Sequence, residues 1–306
     1  MSVSYILCPG QGAQHLGMGK DFAAAFPSAK AIFERANEVL GFDLADICFH
    51  DRDACLNQTD VSQPAIYVTS IASHAAALSA DRLPKAPHIF AGLSLGEYTA
   101  LHLAGVFSFE DGLKLVAARG KAMQAAADAT PSTMAAVMGG DEAQITQLCE
   151  SESHGDVLVP ANFNAPGQIV VSGTLPACER FSVAAALMGL RVVPLTVAGA
   201  FHSAIMQSAA DIMRKELSRV AFNAPQFPVY SNVSASLHTD VESIKSLLVD
   251  QIVKPVRWEQ TMSQVANIEG AKFVELAPGK VLTGLLKKQN RRADVLTLSD
   301  ASVLRI

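Results

Sequence analysis

The pentapeptide Gly92-Leu93-Ser94-Leu95-Gly96 constrains this chain more than any other stretch. It matches G-x-S-x-G, follows the apolar run His88-Ile89-Phe90-Ala91, and leads into a helical pattern that begins at residues 95–100. A chain that passes from strand to helix through so short a turn needs small residues on both sides of the serine. Such a turn holds Oγ out at the end of a sheet and sets the next backbone N–H and the helix N-terminus beside it. An α/β fold is therefore expected, with the site at the strand ends. The same five residues also suit an ordinary glycine turn with a capping serine, so the strand-and-helix context carries the reading.

That context extends along most of the 306 residues. Residues 5–8 (Tyr-Ile-Leu-Cys) read as a buried strand that runs into the glycine turn Pro9-Gly10-Gln11-Gly12-Ala13-Gln14. Helical periodicity follows over residues 21–40 and 65–78, and Ser108 with Asp111 resembles a capping box opening a helix to about residue 127. After the breaker cluster 128–132 the order becomes strand 134–138, helix 142–151, strand 157–163, strand 168–172, helix 175–188 and strand 191–195. This β-α-β-β-α-β order is that of a ferredoxin-like unit. The expectation is a large α/β-hydrolase-like domain with a parallel sheet, residues 1–128 and 197–306, and a small ferredoxin-like domain, residues 129–196, inserted into it. The larger part resumes with a helix over 204–217, a strand near 228–230 and a last strand at 273–275.

Composition excludes several functions. Half of the residues are hydrophobic and 17% are charged, which leaves ample material for a core. With 24 basic against 29 acidic residues, the net charge of −5 gives the whole chain no electrostatic reason to bind nucleic acid. No apolar run approaches the roughly 18 residues needed to span a bilayer, and the first ten residues lack the layout of a signal peptide. Cys8, Cys48, Cys55, Cys149 and Cys178 are odd in number, scattered and without metal spacing, so they read as reduced thiols in a cytoplasmic protein with no metal.

Serine chemistry needs a base. Of eight histidines, His202 lies on a connecting turn between the apolar strand and the helix that follows, where catalytic groups gather, whereas His102 falls within a helix. No acid declares itself as a third member; Asp240 and Asp250 are candidates, each equally suited to a surface helix or loop. Arg119 extends the apolar stripe Leu113, Val116, Gly120, Met123 of its helix. A guanidinium on a buried face needs an anion, either an internal acid or the carboxylate of a substrate.

At these residues the chain resembles the malonyl-CoA:acyl carrier protein transacylases and the acyltransferase domains of fatty acid and polyketide synthases. The motifs Pro9–Gln14, Gly92–Glu97, Arg119-Gly120 with Met123-Gln124, residues 162–168 (Asn-Phe-Asn-Ala-Pro-Gly-Gln), Phe201-His202-Ser203, Gln251 with residues 254–258, and Ala277-Pro278-Gly279 recur in family order over almost the whole chain. The resemblance implies that Ser94 is acylated, His202 is the base and Arg119 holds the malonyl carboxylate. It further implies backbone N–H groups of Gln11 and Leu95 as the oxyanion hole, a Gln251 carbonyl orienting His202 in place of an acid, and Met123, Asn162 and Phe201 at the substrate. Leu93 stands where many bacterial members have His, and Ala277 where a glycine is usual. Phe201 matches members that select malonyl over methylmalonyl.

The activity so implied is ping-pong transfer of malonyl from coenzyme A to the phosphopantetheine thiol of an acyl carrier protein, supplying extender units for fatty acid synthesis. Its substrate is a coenzyme A thioester, and no permanently bound cofactor is needed. A serine esterase shares G-x-S-x-G but has no use for a buried cation, and a mere carrier-binding module needs no serine and histidine together. Acyl carrier proteins are acidic, and Lys287, Lys288, Arg291 and Arg292 form the densest basic segment. That segment suits carrier docking, and equally a solvated helix end that complements the dipole.

Overall fold

The computed structural model describes residues 3–85 and 88–304. Its elements run β1 (Ser4–Cys8), α1 (Lys20–Ala25), α2 (Pro27–Leu40), α3 (Leu44–His50), α4 (Thr59–Ser79), β2 (His88–Gly92), α5 (Gly96–Leu103) and α6 (Phe109–Ala129). They continue as β3 (Ser132–Met138), α7 (Glu142–Ser153), β4 (Leu158–Ala165), β5 (Gln168–Thr174), α8 (Leu175–Leu187) and β6 (Arg191–Pro194). Last come α9 (Gln207–Arg219), α10 (Val241–Val253), β7 (Val256–Arg257), α11 (Trp258–Val265), β8 (Lys272–Glu275), α12 (Val281–Gln289) and β9 (Asp294–Thr297).

A parallel sheet in the order β2-β1-β8-β9 forms one layer. All five residues of β1 are buried, because strands of a parallel sheet are covered on both faces. Successive side chains alternate between faces, so Ile6 and Cys8 enter the main core with Phe90 and Val274, while Tyr5 and Leu7 enter a second cluster with Phe273, Trp258 and Leu286. The strand expected near residue 229 is reduced to two isolated bridges, a parallel one from Val229 to Phe90 beside β2 and an antiparallel one from Tyr230 to Leu237. β8 is not the last strand, since β9 pairs with its outer edge.

The second sheet has the order β6-β3-β5-β4-β7. β6, β3, β5 and β4 pair antiparallel, and the two-residue β7 adds parallel to β4 from beyond residue 197. Along β3, Ala135 and Val137 face α7 and α8 through a separate core cluster, whereas Met134 and Ala136 join the main core. One face of this sheet therefore lies against the larger layer.

Several boundaries differ from the periodicity reading. Residues 21–40 hold two helices, because Phe26 is extended ahead of Pro27, which opens α2. α4 begins at Thr59, five residues before Pro64, which sits inside the helix rather than before it. The helix expected over 204–217 is a 3-10 turn followed by α9. Ser108 caps α6 as expected, accepting from the Asp111 N–H. No helix among the described residues is long and apolar enough to cross a membrane. The five cysteines are free, and burial pushes the thiols of Cys8, Cys48, Cys149 and Cys178 up.

Candidate active site

The end of β2 and the start of α5 meet at Ser94, whose φ of 52° places a non-glycine residue in the left-handed region. Glycine is required on both sides. A Cβ on Gly92 would lie 2.0 Å from the Gly96 carbonyl, and one on Gly96 would lie 2.0 Å from the Cys8 carbonyl of β1. Asn232 clasps the same turn: its Oδ1 accepts from the Ser94 N–H at 2.6 Å and its Nδ2 donates to the Gly92 carbonyl at 2.6 Å. Strain at the serine is thus held by packing against β1 and by one side-chain amide.

Ser94 Oγ lies 2.9 Å from His202 Nε2, and His202 Nδ1 lies 2.6 Å from the main-chain carbonyl of Gln251. A carbonyl only accepts, so Nδ1 carries the proton and Nε2 presents its lone pair to the hydroxyl. His202 also has a positive φ, 57°, and follows Phe201, whose carbonyl accepts from Ser172 Oγ at 2.7 Å. Burial, with the nearby Arg119 cation second, lowers His202 to about 4 against the backbone contacts that raise it. A neutral imidazole at pH 7 is what a general base requires.

Arg119, on α6, is 1% exposed. Its Nη1 donates to Gln63 Oε1 at 2.7 Å; its Nη2 donates to Ser94 Oγ at 3.0 Å and to Gln251 Oε1 at 2.9 Å. The guanidinium carbon lies 5.6 Å from the centre of the Tyr98 ring. Burial lowers its pKa, opposed by Tyr98 and Glu97.

Behind the turn, the Gln251 side chain donates from Nε2 to the Ser94 carbonyl at 3.0 Å and to Glu97 Oε2 at 2.6 Å. Glu97 accepts in addition from the Asn232 N–H at 3.1 Å and, through Oε1, from His238 Nε2 at 2.8 Å. Gln63, Asn232 and His238 carry no local sequence signal, since their contacts span 56 to 141 residues of chain. Glu97 directly follows the G-x-S-x-G motif, which was the available cue.

A cavity of about 350 Å³ opens over Ser94, between the two sheets. Its lining includes Gln11, Arg119, Met123, Asn162, Phe201 and His202. The structure therefore gathers every residue expected at the substrate. The backbone N–H groups of Gln11 and Leu95 donate to no acceptor among the described residues, which leaves both available to a bound oxygen. Asp240 and Asp250 are elsewhere: Asp240 caps α10 through the Ser243 N–H, and Asp250 pairs with Lys254. His102 bonds the Phe107 carbonyl within its own turn. Lys287, Lys288, Arg291 and Arg292 are exposed at the end of α12, whose Val281 and Leu285 line the cavity, and Lys288 reaches Gln168 on its rim. No group of His, Cys, Asp and Glu suited to a metal occurs among the described residues.

Residues 5–304 match the acyl transferase domain family. Over 292 residues the chain is 41% identical to the malonyl CoA-acyl carrier protein transacylase of Escherichia coli K12, covering 95% of this chain and 93% of that protein. Over 311 residues it is 38% identical to the enzyme of the same name from Bacillus subtilis 168, covering 100% and 96% of the two chains. The crystal structure of the Clostridium perfringens malonyl CoA-acyl carrier protein transacylase superposes with a TM-score of 0.93 at 36% identity, over 99% of this chain and 95% of that one. A type II PKS acyl-carrier protein in complex with its malonyl-transacylase is likewise similar, with a TM-score of 0.93, 37% identity and coverage of 99% and 98%. With the fold, the elbow serine and the buried arginine in one cavity, and with these matches over nearly its full length, the chain belongs to the acyl transferase domain family.

Proposed function

We propose that this protein transfers a malonyl group from coenzyme A to the phosphopantetheine thiol of an acyl carrier protein, through a malonyl ester on Ser94. The observation that carries this reading is the position of Ser94 Oγ, shared between the base His202 at 2.9 Å and the buried cation Arg119 at 3.0 Å. A hydrolase of neutral acyl chains gains nothing from a desolvated guanidinium at its nucleophile, whereas a carboxylated acyl group supplies the missing anion.

In the first half-reaction His202 Nε2 takes the Ser94 proton as Oγ attacks the thioester carbon. The N–H groups of Gln11 and Leu95 hold the oxyanion, the C–S bond breaks, and the coenzyme A thiolate leaves with the proton from His202. In the second, His202 accepts the proton of the carrier thiol, the thiolate attacks the ester, and Ser94 recovers its proton as malonyl departs on the carrier. The Gln251 carbonyl holds the imidazole in the required tautomer throughout, the part an acid plays in a triad. The malonyl carboxylate lies on Arg119 with Met123 and Asn162 at the cavity wall, and Phe201 leaves room for malonyl rather than a branched homologue. Every step uses thiol, thioester and side chains, so the scheme needs no metal or redox cofactor, and we place it in the cytoplasm.

The architecture supports this division of labour as well. We read residues 1–128 and 197–306 as a hydrolase-like domain that carries Ser94, Arg119 and His202. Residues 129–196 read as a ferredoxin-like insertion that roofs the acyl site; the order β6-β3-β5-β4 with α7 and α8 on one face supports this.

Intact mass after mixing with malonyl-CoA alone tests the reading. One malonyl mass is expected on the wild-type protein and none on Ser94→Ala; labelling that survives the substitution overturns it.

A further inference from the structure

Arg119 is a fully buried cation whose side-chain partners, Gln63, Gln251 and Ser94, are all neutral. A buried charge ordinarily takes a resident counter-charge, and the acid of this site stands one residue further back. Glu97 is equally buried, and its carboxylate accepts from Gln251 Nε2, Asn232 N–H and His238 Nε2 instead of from the arginine.

The amide between them has only one orientation available. Gln251 Nε2 faces the Ser94 carbonyl and the Glu97 carboxylate, groups that only accept, and Gln251 Oε1 faces Arg119 Nη2, which only donates. Were the amide reversed, each of these contacts would set donor against donor or acceptor against acceptor. The same residue's main-chain carbonyl holds His202, so one residue ties the base, through its backbone, to the elbow and the cation, through its side chain.

We propose that Glu97 and Gln251 are positioning residues for Arg119: Glu97 fixes the Gln251 amide, whose oxygen orients the guanidinium through a neutral contact and leaves its charge unpaired for the acyl carboxylate. Coulomb attraction falls only as the inverse of distance, so a carboxylate set back by one residue still offsets part of the cost of the buried cation. A hydrogen bond, by contrast, occupies the guanidinium edge it touches. A carboxylate in direct contact would take the place of the substrate. This inference rests on the malonyl-transfer reading above.

The test exchanges the two groups. In the double variant Glu97→Gln/Gln251→Glu, residues 97 and 251 still share an amide-to-carboxylate hydrogen bond, but Arg119 now meets a resident carboxylate. Ser94 labelling from malonyl-CoA is expected to slow by about 100-fold relative to labelling from acetyl-CoA, which makes no carboxylate contact. Gln251→Met keeps the main-chain carbonyl for His202 and removes both amide ends. The KM is expected to rise about tenfold more for malonyl-CoA than for acetyl-CoA, and this variant decides the matter if the exchanged one does not fold. Equal losses for both thioesters, or no loss of malonyl preference, overturn the proposal. A wild-type protein that takes no malonyl overturns the functional reading itself, an outcome visible before either variant is made.

Discussion

Arg119 Nη2 donates to Ser94 Oγ over 3.0 Å, so the cation of the site is hydrogen-bonded to the very hydroxyl proposed as nucleophile. The guanidinium has no acceptor, and therefore occupies a lone pair of the hydroxyl and directs its single proton to His202 Nε2. When a carboxylated acyl group arrives, the same Nη2 has a charged acceptor to turn to. Arg119→Ala removes a charge-assisted contact from a dry site, a loss of about 2–4 kcal/mol, or roughly 30- to 1000-fold in malonyl transfer. Acetyl transfer, which loses only the contact that orients the Ser94 hydroxyl, is expected to fall much less, and single-turnover rates with both thioesters measure the contrast. Equal losses would make Arg119 a structural cation.

The elbow tolerates no added carbon. A methyl group on Gly96 meets the β1 carbonyl of Cys8 at 2.0 Å, a contact that backbone on both sides cannot relieve. Gly96→Ala is expected to lower the melting temperature by an amount corresponding to about 1–3 kcal/mol and to abolish Ser94 labelling. Gly12, where a Cβ meets nothing within 4 Å, has φ 97° and so carries conformational strain without the clash. Gly12→Ala should therefore destabilise the protein yet retain labelling, and a Gly96→Ala protein that loads malonyl normally would contradict the packing argument.

The pH dependence follows from His202. Its folded pKa is about 4, below the ordinary 6.5, so it stays neutral over most of the working range. Ser94 labelling is expected to hold from pH 8 down to about 5 and to fall only as pH approaches 4. The same shift acts on stability. Between pH 6.5 and 4 the unfolded chain binds a proton at this site and the folded one does not, so stability falls as pH falls through that window. His74, lowered to about 4 by burial first, acts in the same direction. Urea unfolding at pH 7 and pH 5 should show the loss, with a shallower dependence in His202→Ala than in the wild type. A labelling midpoint at or above 6.5 would mean that the imidazole is not desolvated as the structure has it.

How far the site was legible follows from the range of the interactions. The elbow, β1 and β2 were legible because close backbone approach leaves room only for glycine and because strands buried on both faces read as unbroken apolar runs. α10 was less so, because the Asp240 that caps it suits a surface helix, a loop or a triad acid alike, and only the Ser243 N–H it accepts from decides among them. β7 and β9 are two and four residues long and only partly buried, too short for any periodicity to register. Asn232 illustrates the limit most clearly. It clasps a turn 138 residues away in sequence, lies outside helix and strand, and its role exists only once the fold has brought it there.

The last expectation concerns the carrier protein. With a net charge of −5, this chain repels an acidic partner at long range unless positive charge is concentrated where the partner lands. Lys287 and Lys288 close α12, Arg291 and Arg292 follow it, and all four are exposed. Leu285 of the same helix lines the cavity and Lys288 reaches Gln168, another lining residue, so the patch borders the cavity over Ser94. Lysines at a helix C-terminus also complement its dipole, a role that contributes only tenths of a kcal/mol and involves no partner. The two roles separate kinetically because both half-reactions use one serine. Lys288→Glu combined with Arg292→Glu is expected to raise the KM for the carrier protein by roughly tenfold, about 1.4 kcal/mol, and to weaken its salt dependence. Malonyl loading from coenzyme A should stay within about twofold, and the unfolding free energy within about 0.5 kcal/mol. If loading and carrier transfer fall together, the substitutions have disturbed the cavity; if the carrier KM does not move, the docking surface lies on another face.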